Sequence, residues 1–300
     1  DDSADNVKKL QDLQENKYRL RRLFNEALSL VGFMGGCFIF VDTGVEGEAL
    51  KLPLNYSDKS AELVGEDKSV KFVVIDPVNV SPGFYNANQP LKDDYLKPKS
   101  WFVFGQEVHA SRLIRLVDNE PPLLLRPAYN FLGIPQAQIL WDYVLHWNKA
   151  RETGVSILEK LNLTVFKTNF SEAFEAGGIE QLDAKMMLLQ RYRSNEAIFA
   201  CDSSEDLQNI TLTISGVEGI IRQALEFIAA INRTPAVKLL GISPSGFNAT
   251  GQSDIRNYYD HIKSKQELNR DAIQTVLKAI QLVEFGHVDP SISFKFNELG

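Results

Sequence analysis

The sequence predicts an α+β fold. Three observations predict it. Segments at 14–31, 137–161 and 217–231 repeat apolar residues at helical spacing. Short apolar runs at 37–41, 70–75, 101–104 and 113–116 are set off by Gly, Pro and Asp, as strands are. From residue 179 onward helical spacing dominates again and ends in a long helix.

The first helix, 14–31, places Leu20, Leu23, Phe24, Ala27, Leu28 and Val31 on one face and Arg19, Arg21 and Arg22 on the other. Gly35-Gly36 ends it, and the run 37–41 follows as a strand. A second strand, 70–75, stops at Asp76-Pro77. Residues 79–98 hold many turn formers and read as a long loop. Two short strands, 101–104 and 113–116, flank Gly105, and a Pro-rich loop covers 120–127. Residues 137–161 read as a helix with Ile139, Leu140, Tyr143, Val144 and Trp147 on one face and a weak point at Gly154.

Ile179, Leu182, Met186 and Leu189 mark a further helix, ending near Arg193. A small β-prone unit follows: 197–201, the turn Asp202-Ser203-Ser204-Glu205, and 210–214. The helix 217–231 is strongly amphipathic. A loop covers 233–251, with Pro235, Pro244, Gly241, Gly246 and Gly251. Ser253 reads as the cap of a helix running to Val283, about 46 Å long if continuous. Its apolar face lapses over 263–266, as in a helix that crosses between packing environments.

The composition is that of a globular chain: 300 residues, 44% hydrophobic, 24% charged. No apolar run reaches the ~18 residues that a membrane helix needs. Cys37 and Cys201 lie in apolar runs and are expected as buried thiols. Seven Asn-x-Ser/Thr sequons reflect a chain rich in these residues. The chain opens on Asp-Asp-Ser-Ala-Asp without a Met and closes on Phe-Lys-Phe-Asn-Glu-Leu-Gly, so a longer parent protein is expected. A net charge of −7 disfavours tight nonspecific DNA binding, which needs Lys and Arg against phosphates.

Signatures of chemistry are sparse. The sequence holds no phosphate-binding glycine fingerprint, no C-x-x-C, no H-E-x-x-H and no G-x-S-x-G. His109, His146, His261 and His287 lack metal-ligand spacing. His109-Ala110-Ser111 is half of a two-histidine phosphoesterase signature. That chemistry needs a second pair, one His as base and one as acid, and the residues after the other three histidines do not supply it. The expectation is therefore no catalytic residue, no metal and no cofactor.

Several segments, in order, resemble one family. Residues 105–115, Gly-Gln-Glu-Val-His-Ala-Ser-Arg-Leu-Ile-Arg, resemble the G-x-x-(I/V)-H-x-S-R-(V/L)-I-R run of tailed-phage portal proteins. Residues 231–240 resemble the segment that follows a portal stem helix. Residues 241–251, Gly-Ile-Ser-Pro-Ser-Gly-Phe-Asn-Ala-Thr-Gly, followed by Asp254, Arg256, Tyr258-Tyr259-Asp260 and Gln266, resemble the hallmark of a portal subgroup long filed as phage-associated and of unknown function. Members of that subgroup are sometimes labelled anti-CBASS nucleases, a label the missing second histidine pair argues against here.

The resemblance implies a portal fold: a mixed α/β wing (1–178), a first stem helix (179–193), a small β clip (194–215), a second stem helix (216–232), a tunnel loop (233–251), then a long kinked helix with a return to the wing (252–300), truncated before the helical crown. It implies a ring of twelve chains around an axial channel for double-stranded DNA, in packaging and in ejection. Implied partners are the terminase large subunit, the major capsid protein and a head-to-tail adaptor, with no membrane. The implied location is the portal vertex of the virion, and the host cytoplasm during assembly. Twelve copies multiply the charge of −7, so an acidic wall would keep the duplex centred while a few donors touch it. Those donors are expected to be Lys238, Ser243, Ser245, Asn248, Lys263 and Lys265. Asp202, Ser203, Ser204 and Glu205 are expected to meet the motor or the adaptor. The alternatives are a phosphoesterase using His109, or another phage head structural protein.

Overall fold

The structure is a computed structural model of the chain, and it describes residues 2–65, 68–160, 162–167, 206–211, 216–241 and 252–299, with four further helical positions at 180, 183, 184 and 187. The chain divides into two compact units: Asp1–Val144 with Glu226–Gly300, and Leu145–Leu225. The first unit joins the two ends of the chain.

Its centre is strand β1 (Gly36–Asp42), flanked by β2 (Lys71–Ile75) and β6 (Leu113–Val117) in an antiparallel sheet of order β2-β1-β6. Phe38 pairs with Ile75 on one side and with Arg115 on the other. Side chains alternate across a strand. Cys37, Ile39 and Val41 therefore enter one core, where Ala27, Val31, Leu116, Val276, Ile280 and Leu282 meet them. Phe38 enters a second core with Val80, Trp101, Val108, Phe131 and Leu132. A strand buried on both faces must be a continuous apolar run, which is why β1 is legible in the sequence. The second core rests on a smaller antiparallel sheet, β3 (Val80–Pro82), β4 (Ser100–Val103) and β5 (Gln106–His109). Strand β3 lies in the expected loop 79–98, and β5 lies inside the His109 motif. Both are too short and too polar to stand out by pattern.

The first helical segment differs from expectation. Helix α1 (Asp2–Asp12) passes through a π turn (Leu13–Lys17). Arg19, in the left-handed region at φ 48°, separates that turn from α2 (Leu20–Met34). Gly35 ends α2 at φ 84°, donating its N–H to the Val31 carbonyl, and the space beside it also requires a glycine. A Cβ at Gly35 would stand 2.0 Å from the Gly133 carbonyl oxygen, and one at Gly133 would stand 1.5 Å from the Asp118 carbonyl oxygen. The Gly133 N–H in turn donates to the Gly35 carbonyl at 3.0 Å. The Pro-rich stretch after β6 closes into a 3-10 helix, Leu123–Tyr129.

Helix α3 covers Gln136–Lys160 without interruption, and the expected face Ile139, Leu140, Tyr143, Val144 and Trp147 is its less exposed side. In the second unit Gly154 is not a weak point. A Cβ there would stand 3.1 Å from Val217 and 3.3 Å from Ile221, so the glycine admits helix α4 (Val217–Ile231) at close range. Strands β7 (Asn162–Lys167) and β8 (Asp206–Thr211) form an antiparallel ladder from Asn162↔Thr211 to Lys167↔Asp206. The resemblance places residues 162–167 in the wing, and in the structure they pair with residues 206–211 of the expected small β unit.

In the first unit, α4 is followed by a short helix α5 (Ala236–Leu240) inside the expected loop 233–251, ended by Gly241 at φ 69°. The expected single helix 253–283 is two, α6 (Gln252–Leu268) and α7 (Arg270–Phe285), broken at Asn269. The Asn269 side-chain amide donates to the Lys265 carbonyl at 2.8 Å, so this carbonyl is bonded by the side chain as well as by the Asn269 N–H. Ser253 lies inside α6 rather than at its cap. Cys37 is fully buried, its thiol donates to the Ala27 carbonyl, and burial pushes its pKa up to about 12. Cys201 lies outside the described residues. No helix among the described residues is long and apolar enough to cross a membrane.

Candidate functional site

The stretch 233–251 springs from a polar junction within the first unit. The Gln136 amide, at the start of α3, donates at 3.4 Å to both the Ile231 carbonyl and the Asn232 side-chain oxygen. The Asn119 amide donates to the Gln136 side-chain oxygen at 3.0 Å. Asn232 donates to the Thr234 hydroxyl at 3.2 Å, and Thr234 donates to the Asn232 carbonyl at the same distance. Asp118, next to Asn119, forms an ion pair with Lys265 of α6. The turn 118–119 thus holds the end of α4 on one side and α6 on the other. Its position is set by Gly133, which approaches the Asp118 carbonyl as only glycine can. Arg233 sits in the left-handed region at φ 50°, where the chain turns out of α4 toward α5.

His261 of α6 faces the same junction. Burial, Lys265 and Arg233 lower its pKa, and Asp118 opposes them in part, so the imidazole is held neutral near pH 7. The junction therefore holds the Asp118–Lys265 pair, the Arg233 charge and a neutral ring.

Of the expected channel residues, Lys238 is exposed on α5, with its Nζ 5.9 Å from the centre of the Tyr259 ring, a cation–π contact that ties α5 to α6. Lys263 is exposed on α6. Lys265 is partly buried and committed to Asp118. Ser243, Ser245 and Asn248 lie outside the described residues, as do Asp202, Ser203, Ser204 and Glu205. One exposed face of α6 carries Arg256, Asp260, Lys263 and Glu267, and Asp254 is exposed on the opposite side. Alternating sign along one face gives a polar stripe with little net attraction for phosphate. The anchors Asp118, Asn119 and Gln136 escape sequence reasoning, because an Asp-Asn turn and a helix-start Gln are common and nothing in their spacing links them to residue 232.

The His109 motif is built as a fastener. His109 ends β5 and caps the 3-10 turn Ala110–Arg112. Its Nδ1 lies 3.2 Å from the Ser111 N–H that it accepts and 2.8 Å from the Ser111 hydroxyl. The same hydroxyl accepts the Leu54 N–H at 2.7 Å, and Tyr56 donates to the Ser111 carbonyl at 2.8 Å. Burial and the Arg112 charge lower the His109 pKa, so the ring is neutral near pH 7 and accepts at Nδ1. The Arg112 side chain is fully buried; it donates to Glu62 at 2.6 and 2.9 Å and to the Leu52 carbonyl at 2.9 Å. Residues 109–112 thus pin the segment 52–62 to the edge of β6. A cleft of about 500 Å³ opens beside them, lined by Tyr56, Ser111, Arg115, Asn119, Asn269 and Asp271. No cluster of His, Cys, Asp or Glu suited to a metal occurs among the described residues.

Comparison with known proteins identifies relatives. The chain is 25% identical over 145 residues to a protein named anti-CBASS protein Acb1 from Sphingomonas paeninsulae, covering 46% of this chain and 23% of that protein. It is 20% identical over 271 residues to an uncharacterized protein of Haemophilus influenzae, covering 89% and 59%. A second protein named anti-CBASS protein Acb1, from a Caulobacter species, is 23% identical over 260 residues, covering 81% and 40%. The chain thus spans between about a quarter and three fifths of the length of these relatives. Among solved structures, a phage portal protein of the HK97 family from Corynebacterium diphtheriae superposes with a TM-score of 0.36 at 10% identity, covering 80% of this chain and 69% of that one. A family model described as phage portal protein matches residues 1–300, and the chain therefore belongs to the phage portal protein family.

Proposed function

We propose that the chain is the ring-forming subunit of a portal at the capsid vertex, lining a channel through which double-stranded DNA is packaged and ejected. The family match over residues 1–300 carries this reading. In it, α3 and α4 form the stem and the β7–β8 ladder between them belongs to the clip, which moves the first stem helix from 179–193 to α3. The observation favouring this arrangement is local: Gly154 of α3 admits Val217 and Ile221 of α4, and the ladder joins the chain leaving α3 to the chain entering α4.

Residues 233–251 are the tunnel loop in this reading, with Lys238, Ser243, Ser245, Asn248 and Lys263 as the groups that touch the duplex and Lys265 as an anchor. The junction at Asp118, Asn119 and Gln136 supports it, because a segment that meets sliding DNA needs fixed roots. The alternating charges on α6 support it as well, since a sliding duplex must not be gripped. Asp202, Ser203, Ser204 and Glu205 would meet the terminase large subunit during packaging and a head-to-tail adaptor afterwards, while the wing meets the major capsid protein. The subunit would assemble in the host cytoplasm and remain in the virion, as one of twelve and without enzymatic activity of its own.

The phosphoesterase reading draws on the names of two relatives. The bonding of His109 disfavours it: Nδ1 is taken by Ser111, and the Ser111 hydroxyl is taken by Leu54. Electron microscopy of the purified protein tests the portal reading. Rings with a central hole at least ~20 Å across, the width of a duplex implied by its two grooves, are the expected result. A monomer, or an assembly with a closed centre, would sink it.

A further inference from the structure

The break between α6 and α7 is one residue long, and the sequence does not force it. Residues 263–273 contain neither Pro nor Gly, the usual causes of a sharp kink. Asn269 is a weak helix former, not a breaker. It stands at φ −94°, ψ 0°, in the bridge region. As the first three residues of α7, Arg270, Asp271 and Ala272 have no partner for their N–H groups within that helix, whereas a continuous helix would bond them to Gln266, Glu267 and Leu268. The Asn269 side chain, bonded to the Lys265 carbonyl, favours a break at this point, and contacts from outside the helix add to it.

The chain that leaves α7 returns to this point. Gly286, at φ 77°, ends α7. The Val288 N–H donates to Asp58 and the Asp289 N–H to the buried Gln281, each at 2.9 Å. Ile292 and Phe294 then pack on the first core. Ile292, Phe294 and Phe296 are partly buried, and Ser291, Ser293 and Lys295 between them are exposed, the alternation of an extended segment lying on a surface. The rings of Phe294 and Phe296 meet edge to face at 5.3 Å, and the Arg270 guanidinium carbon lies 5.1 Å from each ring centre. Arg270 also holds Glu267 of α6 through two contacts of 2.6 Å. The first residue of α7 is thus gripped by the returning chain.

We propose that residues 288–296 are a strap that sets the α6–α7 break. With Phe294 and Phe296 seated on Arg270, the helix stays broken at Asn269. With the strap released, α6 and α7 join into one helix and the far end of α6, where the stretch 233–251 ends, changes direction. The link from strap to α6 stands on the contacts above; its consequence for DNA rests on the tunnel-loop reading.

Residue-resolved hydrogen exchange on the full chain tests the strap. The double variant Phe294→Ala/Phe296→Ala is expected to slow exchange at Asp271 and Ala272 by about tenfold or more, because the joined helix gives their N–H groups partners. General loosening would change exchange in the opposite direction. Arg270→Ala removes the gripped group and leaves the aromatic packing in place, so it tests the same point if the double variant does not fold. Exchange at Asp271 and Ala272 that is unchanged or faster in the variants that fold overturns the strap. Ring formation seen by microscopy is read separately, so a failed strap leaves the portal reading untouched and the reverse also holds.

Discussion

The Arg112 guanidinium is wholly buried, and its two terminal nitrogens reach the two carboxylate oxygens of Glu62 at 2.6 and 2.9 Å. The partners are unequal: Glu62 keeps 27% of its side chain exposed, and Arg112 keeps none. Removing Glu62 strands a charge that has no route to water. Removing Arg112 leaves a carboxylate that can still be hydrated. Glu62→Ala is expected to cost about 3 kcal/mol, near the lower end for a broken buried pair. Urea unfolding of the two single variants would check the asymmetry. An equal or smaller loss for Glu62→Ala than for Arg112→Met would contradict it.

The same pair sets part of the acid sensitivity. The Arg112 hydrogen bonds hold the Glu62 pKa below the ordinary glutamate value, and Lys17 and Tyr18 do the same for Glu284 against the opposing effect of burial. A lowered folded-state pKa gives stability that is fully present above the unfolded pKa, near 4.5, and is lost as pH falls through the folded value. Stability is therefore expected to fall below about pH 4.5, and Glu62→Gln is expected to flatten that fall while lowering the neutral-pH plateau. Melting temperatures between pH 3 and 7 would test this, and identical slopes for the two proteins would count against the pair as a source.

Gly133 and Gly44 offer a paired comparison. A Cβ at Gly133 would collide with the Asp118 carbonyl at 1.5 Å, in backbone that cannot give way. A Cβ at Gly44 meets nothing, although φ there is +80°. Gly44→Ala is expected to cost about 1–2 kcal/mol of conformational strain. Gly133→Ala is expected to cost more than 4 kcal/mol or to abolish folding, since it pushes apart the corner that joins Gly35, Asp118 and Gly133. Similar midpoints in urea for the two variants would show that the corner has room to adjust.

What the sequence made legible follows the same physics. Strand β1 was readable because both its faces are buried, and helices α3, α4 and α7 because one face is. Gly35 announced a helix end, though nothing announced Gly133 as its partner ninety-odd positions on; a close approach of two backbones leaves no periodic trace. Strands β3 and β5 were hidden by shortness, β7 by the distance to its partner β8, and the Asn269 break by the lack of Pro or Gly. The His109 motif was visible, and its role was not. Whether His-x-Ser-Arg cleaves or fastens depends on where Leu54, Tyr56 and Glu62 lie, and they come from a segment some fifty residues away.

His109 can be tested for both roles. As a fastener it accepts from Ser111, and His109→Ala is expected to lose about 1 kcal/mol of stability for that bond. Its lowered folded-state pKa means the unfolded chain takes up a proton more readily. Its contribution to stability therefore rises with pH up to the unfolded value near 6.5, and the variant should lose that part of the slope. Cleavage of cyclic nucleotides by the wild type, abolished in His109→Ala with stability retained, would instead make it catalytic.

The surface proposed to face DNA makes the sharpest demand on the portal reading. A protein that grips duplex DNA through Z phosphate contacts shows log-affinity falling with log-salt at a slope near −0.9Z. The exposed stripe of α6 alternates Arg256, Asp260, Lys263 and Glu267, and Lys265 is already committed to Asp118. Assembled rings are therefore expected to bind duplex DNA weakly, with a slope shallower than about −2. Lys263→Glu should weaken that binding slightly and leave the ring intact. The reversal Asp260→Lys should do the opposite: it turns the stripe basic, steepens the slope and slows DNA passage. Fluorescence anisotropy with a labelled duplex between 50 and 300 mM salt measures each slope. A wild-type slope of about −6 or steeper would mean that the ring holds DNA rather than letting it slide.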